Sequence, residues 1–157
     1  MDNKFDGRGA IILGMHDAIV SLTGLIAGLY FAFTNPDIII VSCIISSVTA
    51  SLSMGAANYL AVKSTNQNLA LISAVYTGSA YMITCALLIL PFFVFKNQLT
   101  AFFSVIIIAM LIIYLFNRFF YRGTRFYKRF FEMITICTVV SIIAFMIGEV
   151  ANKIFGF

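Results

Sequence analysis

The residue with the most chemical reach in this sequence is a carboxylate set inside an apolar run, Asp17 in Gly14-Met15-His16-Asp17-Ala18-Ile19-Val20. A charge at the centre of a membrane-inserted helix costs about 2.5–3.5 kcal/mol on insertion scales, so such a residue marks a functional site by default. Asp17 lies eight positions beyond Gly9, roughly 12 Å along a helix. Gly14, Asp17, Ser21, Gly24 and Gly28 recur at three- and four-residue spacing, so the acid sits on a stripe of small residues. That stripe includes Gly24-x-x-x-Gly28 and lets helices approach closely, which predicts dimer packing through Gly14, Ser21, Gly24 and Gly28. Packing explains the glycines but not the carboxylate among them.

A second group lies on the next apolar segment. Ser47, Ser51, Met54 and Asn58 share one helical face, and Met54 lies eight positions from Val62 at the end of its run. With the two helices antiparallel, Met54 and Asp17 reach about the same depth. A carboxylate, a thioether and nearby amide or hydroxyl oxygens suit a partly dehydrated transition-metal ion, because a thioether favours softer ions than Mg²⁺ or Ca²⁺. The candidate metal ligands are therefore Asp17 and Met54, with Asn58 and Glu132 as further candidates. Glu132 either neutralises the nearby basic run or, with Asp6, lies near the mouth of a cation path. His16 points about 100° away from Asp17 and reads as a polar interhelical contact. Glu149 has Lys153 four residues on, the spacing of a helix-surface ion pair.

These residues need helices to place them. Hydrophobic residues make up 62% of the 157 and charged residues 10%, too little polar surface to cover a soluble fold of this size. Five segments are long and apolar enough to cross a 30 Å hydrocarbon core: about 10–33, 37–62, 68–95, 99–120 and 130–154. The fold class is thus an all-α integral membrane protein, one domain over 1–157, with the first segment retained as a helix. Thr34-Asn35-Pro36-Asp37 stops the first span and starts the second, with proline at a first helical position. Lys63 to Asn68 and Lys96-Asn97-Gln98 are short polar connections, and Arg118 to Arg129 is a basic one broken by Gly123.

With the N-terminus cytosolic, the inner segments hold Lys4, Arg8, Lys63, Arg118, Arg122, Arg125, Lys128 and Arg129, against Lys96 and Lys153 outside. The positive-inside rule then predicts a cytosolic N-terminus and an outside C-terminus. The basic excess fixes topology and binds anionic headgroups, which leaves no reason to invoke nucleic acid. Cys43, Cys85 and Cys137 fall in separate apolar segments and read as packing residues. No nucleophile–base pair, phosphate loop or cofactor motif is present, so neither an enzyme nor a bound cofactor is expected.

At these residues the chain resembles the vacuolar iron transporter family. The first-span motif around Asp17, the run Ser53-Met54-Gly55-Ala56-Ala57-Asn58-Tyr59-Leu60-Ala61 with Lys63-Ser64, and Gly78-Ser79-Ala80-Tyr81 through Leu90-Pro91-Phe92 carry the likeness. Phe131-Glu132-Met133 and Phe145-Met146-Ile147-Gly148 extend it to the fifth span. The resemblance implies a five-helix protomer, a homodimer with its path along the two-fold axis, and export of Fe²⁺ or Mn²⁺ from the cytosol, proton-coupled in some members. Asp17 and Met54 would then form the intramembrane metal site. Two departures stand out. Lys63 to Asn68 replaces the family's carboxylate-rich cytosolic metal-binding domain, and Ser46 stands where a second-helix acid is expected. The other reading is a membrane structural or partner-binding homologue that keeps the fold without transporting. The minimal loops suit a prokaryotic inner membrane, or a vacuolar-type membrane in a eukaryote.

Overall fold

The computed structural model describes residues 7–120 and 124–155; the side chains of 120, 124 and 125 are not described. Asp2, Lys4, Asp6, Arg122 and Gly123 lie outside the described residues, as does the side chain of Arg125. The chain forms five helices: α1 (Arg8–Ala32), α2 (Pro36–Lys63), α3 (Gln67–Val94), α4 (Gln98–Phe120) and α5 (Thr124–Phe155). All five are long and apolar enough to cross a membrane. The shortest, α4, has 23 residues and so spans about 35 Å at 1.5 Å per residue.

Asparagine cuts the connections. Asn35 accepts the Asp37 backbone N–H at 2.9 Å with Pro36 at the first helical position. Asn66 accepts from Asn68 N–H at 3.2 Å, and Asn97 from Leu99 N–H at 2.9 Å. Each replaces a hydrogen bond that the first turn cannot make internally. α5 begins at Thr124, earlier than the apolar pattern from 130 predicts, because the basic and aromatic residues before that run still favour a helix. Because the helices alternate in direction, Arg8, Lys63, Arg118, Lys128 and Arg129 gather at one end of the bundle. Lys96 and Lys153 lie at the other. We call these the basic end and the far end.

α1 is the interior helix. Half of its most apolar window is buried, against 6% for α5, although α1 carries the acid. Its small residues explain why. A Cβ on Gly14 would collide with the Thr77 carbonyl oxygen of α3. A Cβ on Gly24 would lie 2.8 Å from Val140 Cγ1, and one on Gly28 3.1 Å from the Ala144 carbonyl oxygen, both on α5. From the other side, a Cβ on Gly148 would collide with the Gly28 carbonyl oxygen. Ser21 shares a 2.7 Å hydrogen bond with the Tyr81 hydroxyl of α3. The stripe packs against helices of the same chain: Gly14 and Ser21 face α3, while Gly24 and Gly28 face α5.

α2 packs on α3 through a polar contact. Asn58 is buried, its amide donates to the Thr77 hydroxyl, and its Oδ1 accepts from the Ser73 hydroxyl at 3.1 Å. Thr77 in turn donates to the Ser73 carbonyl at 3.0 Å. Interhelical hydrogen bonds of this kind contribute about 0.6 kcal/mol on average and up to about 1.7. Asn58→Leu, which leaves Ser73 and Thr77 without that amide, is expected to lower stability by about 1–2 kcal/mol in unfolding from mild detergent micelles. No loss would show that the amide does not hold α2 against α3.

α4 closes the bundle with a buried seam at every fourth residue, Ala101, Val105, Ala109, Ile113 and Asn117. Aromatic rings fasten its two ends. Tyr30 of α1 stacks on Phe102 at 4.6 Å, and Tyr114 meets Phe126 of α5 edge-on at 5.6 Å. At the far end, Asn152 donates to the Phe31 carbonyl at 3.2 Å and Gln98 to the Phe33 carbonyl at 3.4 Å, which caps the open carbonyls of α1. The three cysteines are free thiols in the packed helices. Glu149 and Lys153 form the helix-surface pair their spacing predicts, at 2.8 Å.

Candidate intramembrane metal site

Asp17 lies between two fixed contacts. Three residues before it, Gly14 presses on the backbone of Thr77 and Tyr81; four residues after it, Ser21 bonds the Tyr81 hydroxyl. Asp17 is thus held beside Tyr81 on α3. The carboxylate is half-buried, and no described residue gives it a hydrogen bond or an ion pair. In an apolar surrounding such a group is satisfied by a bound cation or a proton.

Met54 is half-buried against the core. The α2–α3 register locates it: Gly78 meets the Ser51 carbonyl, and Gly55 meets Ala74 and Gly78. Met54 therefore lies near the level of Gly78, about one turn nearer the basic end than the Asp17–Tyr81 level. Cα–Cβ bonds tilt toward a helix's own N-terminus. As α1 and α2 run in opposite directions, the Asp17 and Met54 side chains lean toward each other and shorten that offset. Ser46 lies two turns from Met54 toward the far end, also half-buried.

The other expected ligands are placed differently. Asn58 faces α3, where Ser73 and Thr77 engage both ends of its amide. Glu132 is exposed on α5 and pairs with Arg129 at 3.8 Å. His16 donates from Nδ1 to the Ile12 carbonyl at 2.8 Å and sets its ring edge-on to Phe116 of α4 at 5.5 Å. It looks away from the Asp17 face, as its 100° offset predicts. Among the described residues, no three His, Cys, Asp or Glu side chains form a group able to hold a metal ion. Among the described residues, one protomer thus offers the Asp17 carboxylate with the Met54 sulfur about one turn away in depth.

On the Asp17 face of α1, one turn further along, a surface groove of about 540 Å³ begins at Ser21. It runs between α1 and α5 past Gly24, Gly28, Ala144 and Gly148 to Ala32 and Ala151 near the far end. Small residues keep it open. Two features escaped the sequence reading. Tyr81 is fully packed yet turns its hydroxyl to Ser21 beside Asp17. Asn117 is fully buried, with neither amide atom bonded to a described protein group. The only available signal for Asn117 was its place in the every-fourth-residue seam of α4.

No curated protein matches the chain. Residues 9–71, which contain α2 and nearly all of α1 and so both Asp17 and Met54, match the model of the VIT family. Members of that family are transporters and not enzymes. The match takes in 63 of the 157 residues: over this stretch the chain is similar to the VIT family, and its five helices are long and apolar enough for a multi-pass membrane protein.

Proposed function

We propose that the protein exports a divalent transition-metal ion from the cytosol, Fe²⁺ first and Mn²⁺ second, through Asp17 and Met54 of two protomers. The observation that carries this reading is the Asp17 carboxylate, half-buried in an interior helix, unpartnered among the described residues and within about a turn in depth of the Met54 thioether. A divalent cation offsets two such charges across a dimer, and protons offset them when the ion leaves. Exchange of metal for protons follows from that alternation. The basic end faces the cytosol by the positive-inside rule, which leads the ion from there toward the groove and the far end. A prokaryotic inner membrane suits the minimal connections, or a vacuolar-type membrane in a eukaryote.

The dimer seam in this reading moves from the glycines of α1 to α2. Thr49, Ser53 and Ala57 are exposed, small and four residues apart, the pattern of close helix contact. They adjoin the face of α2 that carries Ser46 and Met54. A two-fold axis beside this face brings both Asp17–Met54 layers together. A second reading, a homologue that keeps the fold without transport, is favoured by two observations. Only Ser64, Thr65 and Asn66 separate α2 from α3, and Ser46 supplies no second acid.

Purified protein in liposomes decides between them. Transport predicts Fe²⁺ and Mn²⁺ entry into vesicles with an opposing proton flux, read by an internal metal dye and a pH dye. Vesicles that take up no more metal than empty ones would leave the second reading. Ser46→Glu tests the geometry further. A second carboxylate on the Met54 side of α2 is expected to tighten Mn²⁺ binding by about tenfold, as a gained ligand does. Unchanged binding would turn Ser46 away from the path.

A further inference from the structure

We propose that Met133 of α5 is a second thioether at the Asp17 site, which makes the site one for a thiophilic divalent cation. The inference rests on Asp17 being the metal-binding carboxylate. Its own support is the register of α1 against α5. These helices run in the same direction and touch closely where Gly24 meets Val140 and Gly28 meets Ala144. Asp17 is seven residues before Gly24, and Met133 is seven residues before Val140. Seven residues return a helix to the same face within about 20°. The Gly24–Val140 contact therefore repeats two turns toward the basic end as Asp17 opposite Met133.

Burial supports the same placement. Apart from Gly148, Met133 is the only buried residue among the described side chains of α5, whose others are half-buried or exposed. It belongs to the core cluster that contains Met15, Ala18 and Ile19 of α1. Glu132 points elsewhere, to Arg129. α5 thus presents to the Asp17 face a sulfur and not an acid.

The chemistry follows from the donor set. One carboxylate flanked by Met54 and Met133 gives each protomer one hard and two soft donors. Thioethers bind softer ions and contribute little to Mg²⁺, Ca²⁺ or Mn²⁺. A methionine that served only as packing would be replaced by leucine with no effect on ion choice, because the two fill similar volumes.

Cd²⁺ as a soft probe and Mn²⁺ as a harder one separate these roles in the purified full chain. Met133→Leu is expected to weaken Cd²⁺ binding by about tenfold, the scale of a lost ligand partner, while Mn²⁺ binding stays within about twofold. Met133→Cys, which keeps a sulfur, is expected to restore Cd²⁺ binding. X-ray absorption at the cadmium edge is expected to show sulfur neighbours that persist in Met54→Leu and vanish when Met133→Leu is added. Equal effects on both ions, no effect on either, or no sulfur around Cd²⁺ in Met54→Leu would overturn the assignment of Met133. If Asp17→Asn binds both ions as the parent does, the failure lies instead in the underlying site.

Discussion

Asp17→Asn is expected to reduce metal uptake into proteoliposomes to the level of empty vesicles, a loss of at least about a hundredfold, with the protein still folded. The size follows from what remains. Supporting residues around metal sites already cost 10–100-fold when removed, and Asp17 is the one acid of α1, while Glu132 of α5 is taken up by Arg129. Thioethers without a charged ligand hold a divalent cation poorly. Asparagine keeps the shape of the side chain but cannot balance an ion or release a proton to one. Stability is expected to move the other way. Removing an intramembrane charge relieves an insertion cost of about 2.5–3.5 kcal/mol, and no ion pair or hydrogen bond to a described residue is lost with it. The paired measurement is uptake in vesicles and thermal unfolding in detergent. Unaltered uptake would sink the assignment of Asp17 as a ligand. Lost uptake with lost folding would point to a structural carboxylate.

Much of the frame was legible because its causes are local. A span needs only apolar length, and a connection only an asparagine or proline at the right point, as Asn35-Pro36 shows with its 2.9 Å cap. Asp17 was legible for the same reason: a charge in such a run is costly whatever surrounds it. What lay beyond the sequence was the choice of neighbour. Glycine spacing says that another helix comes close but not which one, so Gly24 and Gly28 suited a partner protomer as well as α5. Asn58 shares a helical face with Met54, yet a small rotation of α2 decides whether its amide meets an ion or Ser73 and Thr77. Met133 and Asn117 looked like ordinary residues of apolar helices. Their interest comes from burial, which only the assembled bundle confers. α5 starts before the apolar run at 130 because nothing in Arg125 to Arg129 opposes a helix, although that stretch lacks membrane hydropathy.

Gly148→Ala and Gly14→Ala are expected to be the most destabilising glycine-to-alanine changes among the described residues, by about 3 kcal/mol each in detergent unfolding. At Gly148 the added carbon meets the Gly28 carbonyl oxygen, and at Gly14 the Thr77 carbonyl oxygen. Both obstacles are helix backbone, so the only relief is to push two helices apart along their whole contact. Gly24→Ala meets Val140 Cγ1 at 2.8 Å, a side-chain atom that can give way, and is expected to cost about 1 kcal/mol. Gly9→Ala meets nothing within 4 Å and gains helix propensity, so it is expected to be neutral or to stabilise by up to about 1 kcal/mol. This ranking distinguishes packing from propensity, because propensity alone favours alanine at all four sites. Gly28 and Gly148 share one contact, so adding Gly28→Ala to Gly148→Ala is expected to cost less than the sum of the two. Once the helices have separated for one methyl group, the second finds space. The same separation would draw α5 from the Asp17 face, so Gly148→Ala protein that still folds is expected to lose metal binding while keeping its carboxylate. If Gly148→Ala unfolds at the parent's temperature, α1 and α5 do not touch through their backbones, and the seating of Asp17 between α3 and α5 would have to be redrawn.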